Sequence, residues 1–246
     1  MPAEHIIKSY DDELRRLNNI IVEMGGLAES QLGAAIDAVA ERDSALAARV
    51  VQDDAKVDAL EQEADSLAIR LLALRQPMAR DLREVFAALK IASDLERICD
   101  YAANVAKRSI ALSQAPPIQP VYALPRMAHL AQQLVKEVLD AYVARDAGKA
   151  LEVWHRDEEL DEMYASIFRE FLTYMMEDPR NIGPCTHLLF MAKNIERIGD
   201  HATNIAENLY YLVHGTPISG VRPKGDNSSL EVVTPQRPAE QRDGGR

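Results

Sequence analysis

The feature that most constrains this chain is a segment written twice. Asp94-Leu95-Glu96-Arg97-Ile98-Cys99-Asp100-Tyr101-Ala102-Ala103-Asn104-Val105-Ala106 recurs one hundred residues later as Asn194-Ile195-Glu196-Arg197-Ile198-Gly199-Asp200-His201-Ala202-Thr203-Asn204-Ile205-Ala206. A repeat of this length implies a duplicated fold with two related sites. In both copies the apolar residues fall at three and four. Leu95, Ile98, Ala102 and Val105 mark one helix, and Ile195, Ile198, Ala202 and Ile205 the other.

Helical spacing gives the polar residues a geometry. Glu96, Asp100 and Asn104 stand at i, i+4 and i+8, so they form a line along one side. Glu196, Asp200 and Asn204 form the matching line. Each line lies beside the apolar stripe, where carboxylates are partly desolvated. Like charges four apart oppose the helix by about 0.2–0.5 kcal/mol, and desolvation adds to that cost. Two readings offset it. A multivalent cation takes carboxylate and amide oxygens. Alternatively Arg97 and Arg197, three residues before Asp100 and Asp200, form ordinary surface salt bridges.

Glycine is sparse and aromatic residues are 5 % of the 246. Alanine and leucine dominate, and nothing reads as a run of strands. The composition predicts an all-α protein. The net charge is −11. The segment from Gly215 holds five basic and four acidic residues, so the rest carries 23 basic and 35 acidic groups. That balance argues against nucleic acid and suits cations or basic protein surfaces. Cys99 and Cys185 form no CxxC and no disulfide framework, and are read as reduced thiols. The sequence shows no signal peptide and no apolar run long enough to span a membrane, and predicts a cytoplasmic protein.

Six helices are expected. The first runs from about Ile6 to Glu41, with Gly25-Gly26 marking a close helix contact. Asp43 or Ser44 caps the second, which Pro77 ends. The third carries the first signature and stops before Ala115–Pro120, a proline-rich connector. The plan then repeats. Asp157…Asp161 matches Asp54…Asp58 at a displacement of 103, and Arg145-Asp146 matches Arg42-Asp43. Pro179 breaks the fifth helix and Asn181 caps the sixth. The expected organisation is two tandem, sequence-related three-helix bundles, 1–114 and 121–215, with acidic lines on a shared outer face. Residues 216–246 form a disordered tail.

Arg75-Gln76-Pro77, Asp81-Leu82-Arg83, the two signatures, and Tyr211-Leu212-Val213 with Gly215 resemble the PhoU proteins of bacterial phosphate signalling, over about Ile6 to Gly215. The resemblance implies that the Glu-x-x-x-Asp carboxylates bind metal ions, divalent or trivalent: Mg, Mn, Fe or Zn. Carried over by position, the ligands are Glu96, Asp100, Glu196 and Asp200. Asn104 and Asn204 lie on the same lines, and Asp58 and Asp161 complete the shells from helices two and five. The family is non-enzymatic and a negative regulator. It acts between a phosphate ABC transporter ATPase and a sensor histidine kinase, is often a homodimer, and reaches the membrane only through partners. Cys99 departs from the glycine of the second copy, and is read as a small core residue. Tyr101 stands opposite His201 in the two copies.

Two other function classes compete. A ferritin-like carboxylate enzyme needs paired Glu-x-x-His motifs, and Glu152 with His155 is the single instance of that spacing noted. A metal-free helical scaffold needs no site at all. Arg83, Arg97 and Arg197 are candidates for inorganic phosphate, with ion pairing as the alternative.

Overall fold

The computed structural model describes residues 2–75, 77, 78, 80–114, 116, 123–220, 222 and 224, the side chains of 2–9 and 75 excepted. The six expected helices form: α1 (Pro2–Glu41), α2 (Ser44–Arg75), α3 (Arg80–Ser113), α4 (Ala123–Ala144), α5 (Ala147–Glu177) and α6 (Ile182–His214). No strand occurs among the described residues. None of the described helices is long and apolar enough to cross a membrane. The proline connector, apart from Pro116, lies outside the described residues, as do tail residues 221, 223 and 225–246.

The ends of the helices follow local chemistry. Asp43 Oδ1 accepts from the backbone N–H groups of Ala45 and Leu46 at 2.8 and 2.9 Å. Asp146 does the same for Gly148 and Lys149. Each satisfies two of the orphan donors at a helix start. The preceding arginines, Arg42 and Arg145, both adopt positive φ, 55° and 54°. The tight turn is thus duplicated down to its backbone. Asn181 departs from expectation. It precedes α6 but makes no side-chain cap; Asp178 instead caps a short 3-10 turn, Pro179–Asn181, by accepting from Arg180 N at 3.0 Å. The Asn181 amide turns back to Tyr174 O.

Within each half the three helices pack on one another, α1–α2–α3 and α4–α5–α6. The halves are joined most extensively through α3 against α6, and also through α1 against α4. One continuous core results. The predicted stripes, Leu95, Ile98, Ala102, Val105, Ile195, Ile198, Ala202 and Ile205, are all buried. Each large aliphatic side chain so buried contributes about 1.5–3 kcal/mol.

Close approach is set by small residues. A Cβ on Gly25 would lie 2.7 Å from Leu139 of α4, so Gly25 marks a close helix contact, whereas a Cβ on Gly26 would meet nothing within 4 Å. A Cβ on Gly199 would lie 2.3 Å from Leu160 of α5. Its counterpart Cys99 is buried too, and Leu160 corresponds to the smaller Val57. By position, the buried Cys99 and Val57 are the counterparts of Gly199 and Leu160.

Candidate carboxylate clefts

Each acidic line faces the middle helix of its own half, so the lines do not simply share an outer face. In the first half, Glu96 and Asp100 of α3 look towards Asp54, Asp58 and Glu61 of α2. The Glu96 side chain is only 16 % exposed. Burial, and then the nearby Asp100, push its carboxyl up to about 7. Asp54 is raised by burial, Asp100 and Asp58; Glu61 is raised by burial and Asp65. Arg97 lies across the mouth of this cleft, 3.1 Å from Asp100 Oδ2 and 3.4 Å from Glu96 Oε2. It is half exposed, so its pairing is the weak kind. Asn104 lies half-buried one turn further along α3.

The second half repeats the arrangement in a drier setting. Glu196 of α6 and Asp157 and Asp161 of α5 are all buried, with Asp157 only 1 % exposed. Burial pushes the Glu196 carboxyl up to about 7, with Lys193 opposing and Asp200 reinforcing. Lys193 Nζ stands 2.9 Å from Glu196 Oε1. Glu196 Oε2 is buried without a hydrogen-bond partner.

A tail residue completes this cleft. Arg222 Nη2 stands 2.7 Å from Asp157 Oδ2 and 2.7 Å from Asp200 Oδ1. Its Nε donates to the same Asp157 oxygen at 3.0 Å, and Nη1 reaches Asn204 Oδ1 at 3.5 Å. Lys224 Nζ is 4.0 Å from Asp200. Burial raises the Asp157 carboxyl, and the Arg222 guanidinium works against that shift.

Between the clefts runs the α3–α6 seam. Asp94 accepts from His201 Nδ1 at 2.8 Å, from Asn204 Nδ2 at 3.2 Å and from Asn208 Nδ2 at 3.4 Å. His201 is therefore a link between halves. Arg197 donates to the Tyr101 hydroxyl at 3.2 Å and lies over its ring. The salt-bridge reading thus describes Arg97 in the first copy, while Arg197 in the second has been turned to the seam. Cys99 is buried, and burial beside carboxylates pushes its thiol up, which fits a core residue.

The predicted residues therefore gather in two places: Glu96 and Asp100 with Asp58, and Glu196, Asp200 and Asn204 with Asp161. The sequence reading missed Asp54, Glu61, Asp157, Lys193 and Arg222. Asp54 and Asp157 carried a signal, since each precedes its recognised partner by one turn and the two match at the displacement of 103. Arg222 carried none, because its contacts reach 65 residues back along the chain.

Among the described residues no three His, Cys, Asp or Glu side chains stand in ligand geometry about one point. The chemistry of the donors nevertheless fits a hard cation. The sets are all oxygen, burial raises the Glu96 and Glu196 carboxyls with Asp100 and Asp200 reinforcing, and one buried oxygen, Glu196 Oε2, has no hydrogen-bond partner.

Comparison with known proteins matches the same two halves. The profile of the PhoU domain fits residues 21–109 and again 124–209. The chain is 55 % identical over 225 residues to the phosphate-specific transport system accessory protein PhoU homolog of Xylella fastidiosa (strain 9a5c), covering 92 % of this chain and 95 % of that one. The homolog of the same name from Rhizobium meliloti (strain 1021) is 51 % identical, over 95 % of this chain and all of that one. The crystal structure of PhoU from Pseudomonas aeruginosa superposes with a TM-score of 0.82 at 40 % identity, covering 84 % of this chain and 100 % of that chain. The phosphate transport system regulatory protein PhoU from Streptococcus pneumoniae gives 0.79 at 28 % identity, covering 85 % and 99 %.

Proposed function

Because the chain belongs to the PhoU family, we propose that it is a non-enzymatic accessory protein of a phosphate-specific transport system and a negative regulator of the phosphate-starvation response. In this reading it is a cytoplasmic homodimer that couples a phosphate ABC transporter ATPase to a sensor histidine kinase, and it meets the membrane only through those partners. The near full-length similarity to transport accessory proteins supports the first part.

The clefts supply the regulatory chemistry. Glu96 and Asp100, with Asp54, Asp58 and Glu61, would hold a divalent or trivalent cation in the first half. Glu196 and Asp200, with Asp157 and Asp161, would do so in the second, and Asn104 and Asn204 add amide oxygens. What a hard cation supplies is positive charge that lets crowded carboxyls ionise at neutral pH. The chain's residues position those carboxyls on rigid helices and shield them by burial. The observation that carries the reading is the buried Glu196 Oε2, which has no hydrogen-bond partner and belongs to a carboxyl close to Asp200 and Asp161.

Two experiments test it. Deleting the gene should derepress phosphate-regulated genes in rich phosphate, and restoring the wild type should repress them; unchanged repression overturns the regulatory reading. Mass spectrometry on protein purified without an affinity metal should find metal that is lost from a still-helical Glu96→Ala/Asp100→Ala/Glu196→Ala/Asp200→Ala variant. Metal-free parent protein that also takes up none on dialysis overturns the cation reading.

A further inference from the structure

The second cleft already holds a cation of the protein's own. Arg222 is 18 % exposed at its side chain and touches Asp157, Asp200 and Asn204, three groups from both walls of the cleft. A guanidinium keeps its charge at every accessible pH, and its fork of donors suits carboxylates that face one another. The residues before it continue the contact. Pro217, Ile218 and Gly220 line, together with Phe86, Trp154 and Tyr211, a cavity of 390 Å³ that Arg222 also lines.

The two halves differ further in fixed charge. Glu61 and Ser93 of the first half correspond to Tyr164 and Lys193 of the second. The first cleft therefore sets five carboxylates against the exposed Arg97, with Lys107 acting on Asp54. The second sets four against Lys193 and Arg222, with Lys224 nearby.

We propose that the segment carrying Arg222 is an intramolecular occupant of the second cleft, seated where a divalent cation would otherwise bind, so that the first cleft takes up cations freely and the second only as the tail leaves. This rests on the cation reading above. A tethered competitor acts at high effective concentration, and it weakens apparent affinity by the fraction of time the cleft is open. A seat closed ten-elevenths of the time lowers affinity about tenfold.

Trp154, the sole tryptophan, reports on the seat, because it lines the same cavity and its Nε1 donates to Glu207 at 2.9 Å. The test uses the full chain and Mn²⁺, with Glu96→Gln/Asp100→Asn to leave the second cleft alone. Adding Arg222→Ala to that background should tighten Mn²⁺ binding about tenfold by calorimetry. In metal-free protein Arg222→Ala should shift the tryptophan emission, and Arg222→Lys should give an intermediate shift and affinity. Because Arg222 lies beyond α6, circular dichroism of the variants should match the parent. An unshifted emission overturns the proposal, and so does a shift without tighter Mn²⁺ binding. If protein with both clefts intact binds Mn²⁺ but Arg222→Ala leaves the second cleft unchanged, this proposal alone falls. If neither the intact protein nor its Arg222→Ala variant binds Mn²⁺, the cation reading falls and takes the competition with it.

Discussion

The two carboxylate clefts descend from one written pattern and differ in what offsets their charge. The first crowds Asp54, Asp58, Glu61, Glu96 and Asp100 together and answers them mainly with Arg97, which is half exposed. The second buries its acids more deeply and answers them with Lys193 and Arg222. A duplicated backbone thus supports two electrostatic solutions. A charge that solvent screens is left to an exposed arginine, whereas a buried one is met by cations brought from within the chain.

The comparison breaks most directly with a cation. Mn²⁺ at about one hundred times its dissociation constant should stabilise the protein by about 2.7 kcal/mol. Glu96→Gln/Asp100→Asn should remove most of that gain, read as the shift in urea midpoint with and without Mn²⁺. An equal gain retained by the variant would show the second cleft to be the stronger site and reverse that order.

Packing offers the next test. Gly199→Cys copies the first half into the second and drives a Cβ against the buried Leu160. It should cost about 2 kcal/mol. Leu160→Val, which copies Val57, should recover part of that cost in the double variant. Additive losses in a double-mutant cycle would mean that the two pairs are not equivalent.

The matched turns give a smaller contrast. Arg145 donates to Glu84 and Asn18, which are themselves bonded, and Tyr142 donates to Asn18 at 2.6 Å. Arg42 instead donates to the carbonyls of Leu112 and Ser113 at the end of α3. Arg145→Ala should cost about 1.5 kcal/mol because Glu84 loses a charged partner. Arg42→Ala should cost about 0.5 kcal/mol, as an exposed contact does. Chemical denaturation of both variants ranks them.

The mildest expectation concerns pH. The Glu96 and Glu196 carboxyls are pushed up to about 7 from an ordinary 4.5. Between those values the folded chain holds more protons than the unfolded one. Their contribution is therefore greatest below pH 4.5 and is lost as pH rises through 7. Glu196→Gln should flatten the stability profile across that window, measured by urea midpoints at pH 5 and 7.5.

Much of the fold was legible because its determinants are local. Alternation at three and four gave the helices. Asp43, Asp146, Pro77 and Pro179 gave their boundaries, and Gly25 marked a close contact. The Asn181 cap was misread because Asp178, three residues earlier, competes for the same turn and wins with a 3-10 start. In the clefts, the α3 and α6 acids were legible from spacing, and Asp58 and Asp161 from the displaced repeat. The shared outer face expected for the two lines was misread, since their direction depends on how far α3 and α6 rotate to meet one another. Arg197 shows the same limit. Its spacing to Asp200 equals that of Arg97 to Asp100, yet the seam offers it Tyr101, and tertiary contact decides.

That seam carries a consequence for assembly. α3 meets α6 much as one subunit of a symmetric dimer meets its twin, with Asp94, His201, Asn204 and Asn208 as its polar fastening and buried alanines on both sides. The covalent join is then not what holds the halves in place. Fragments 1–116 and 117–246, co-expressed, should copurify as a stoichiometric pair. The same surface lets a half from a second molecule take its twin's seat, so exchanged dimers should accumulate when the protein refolds at high concentration.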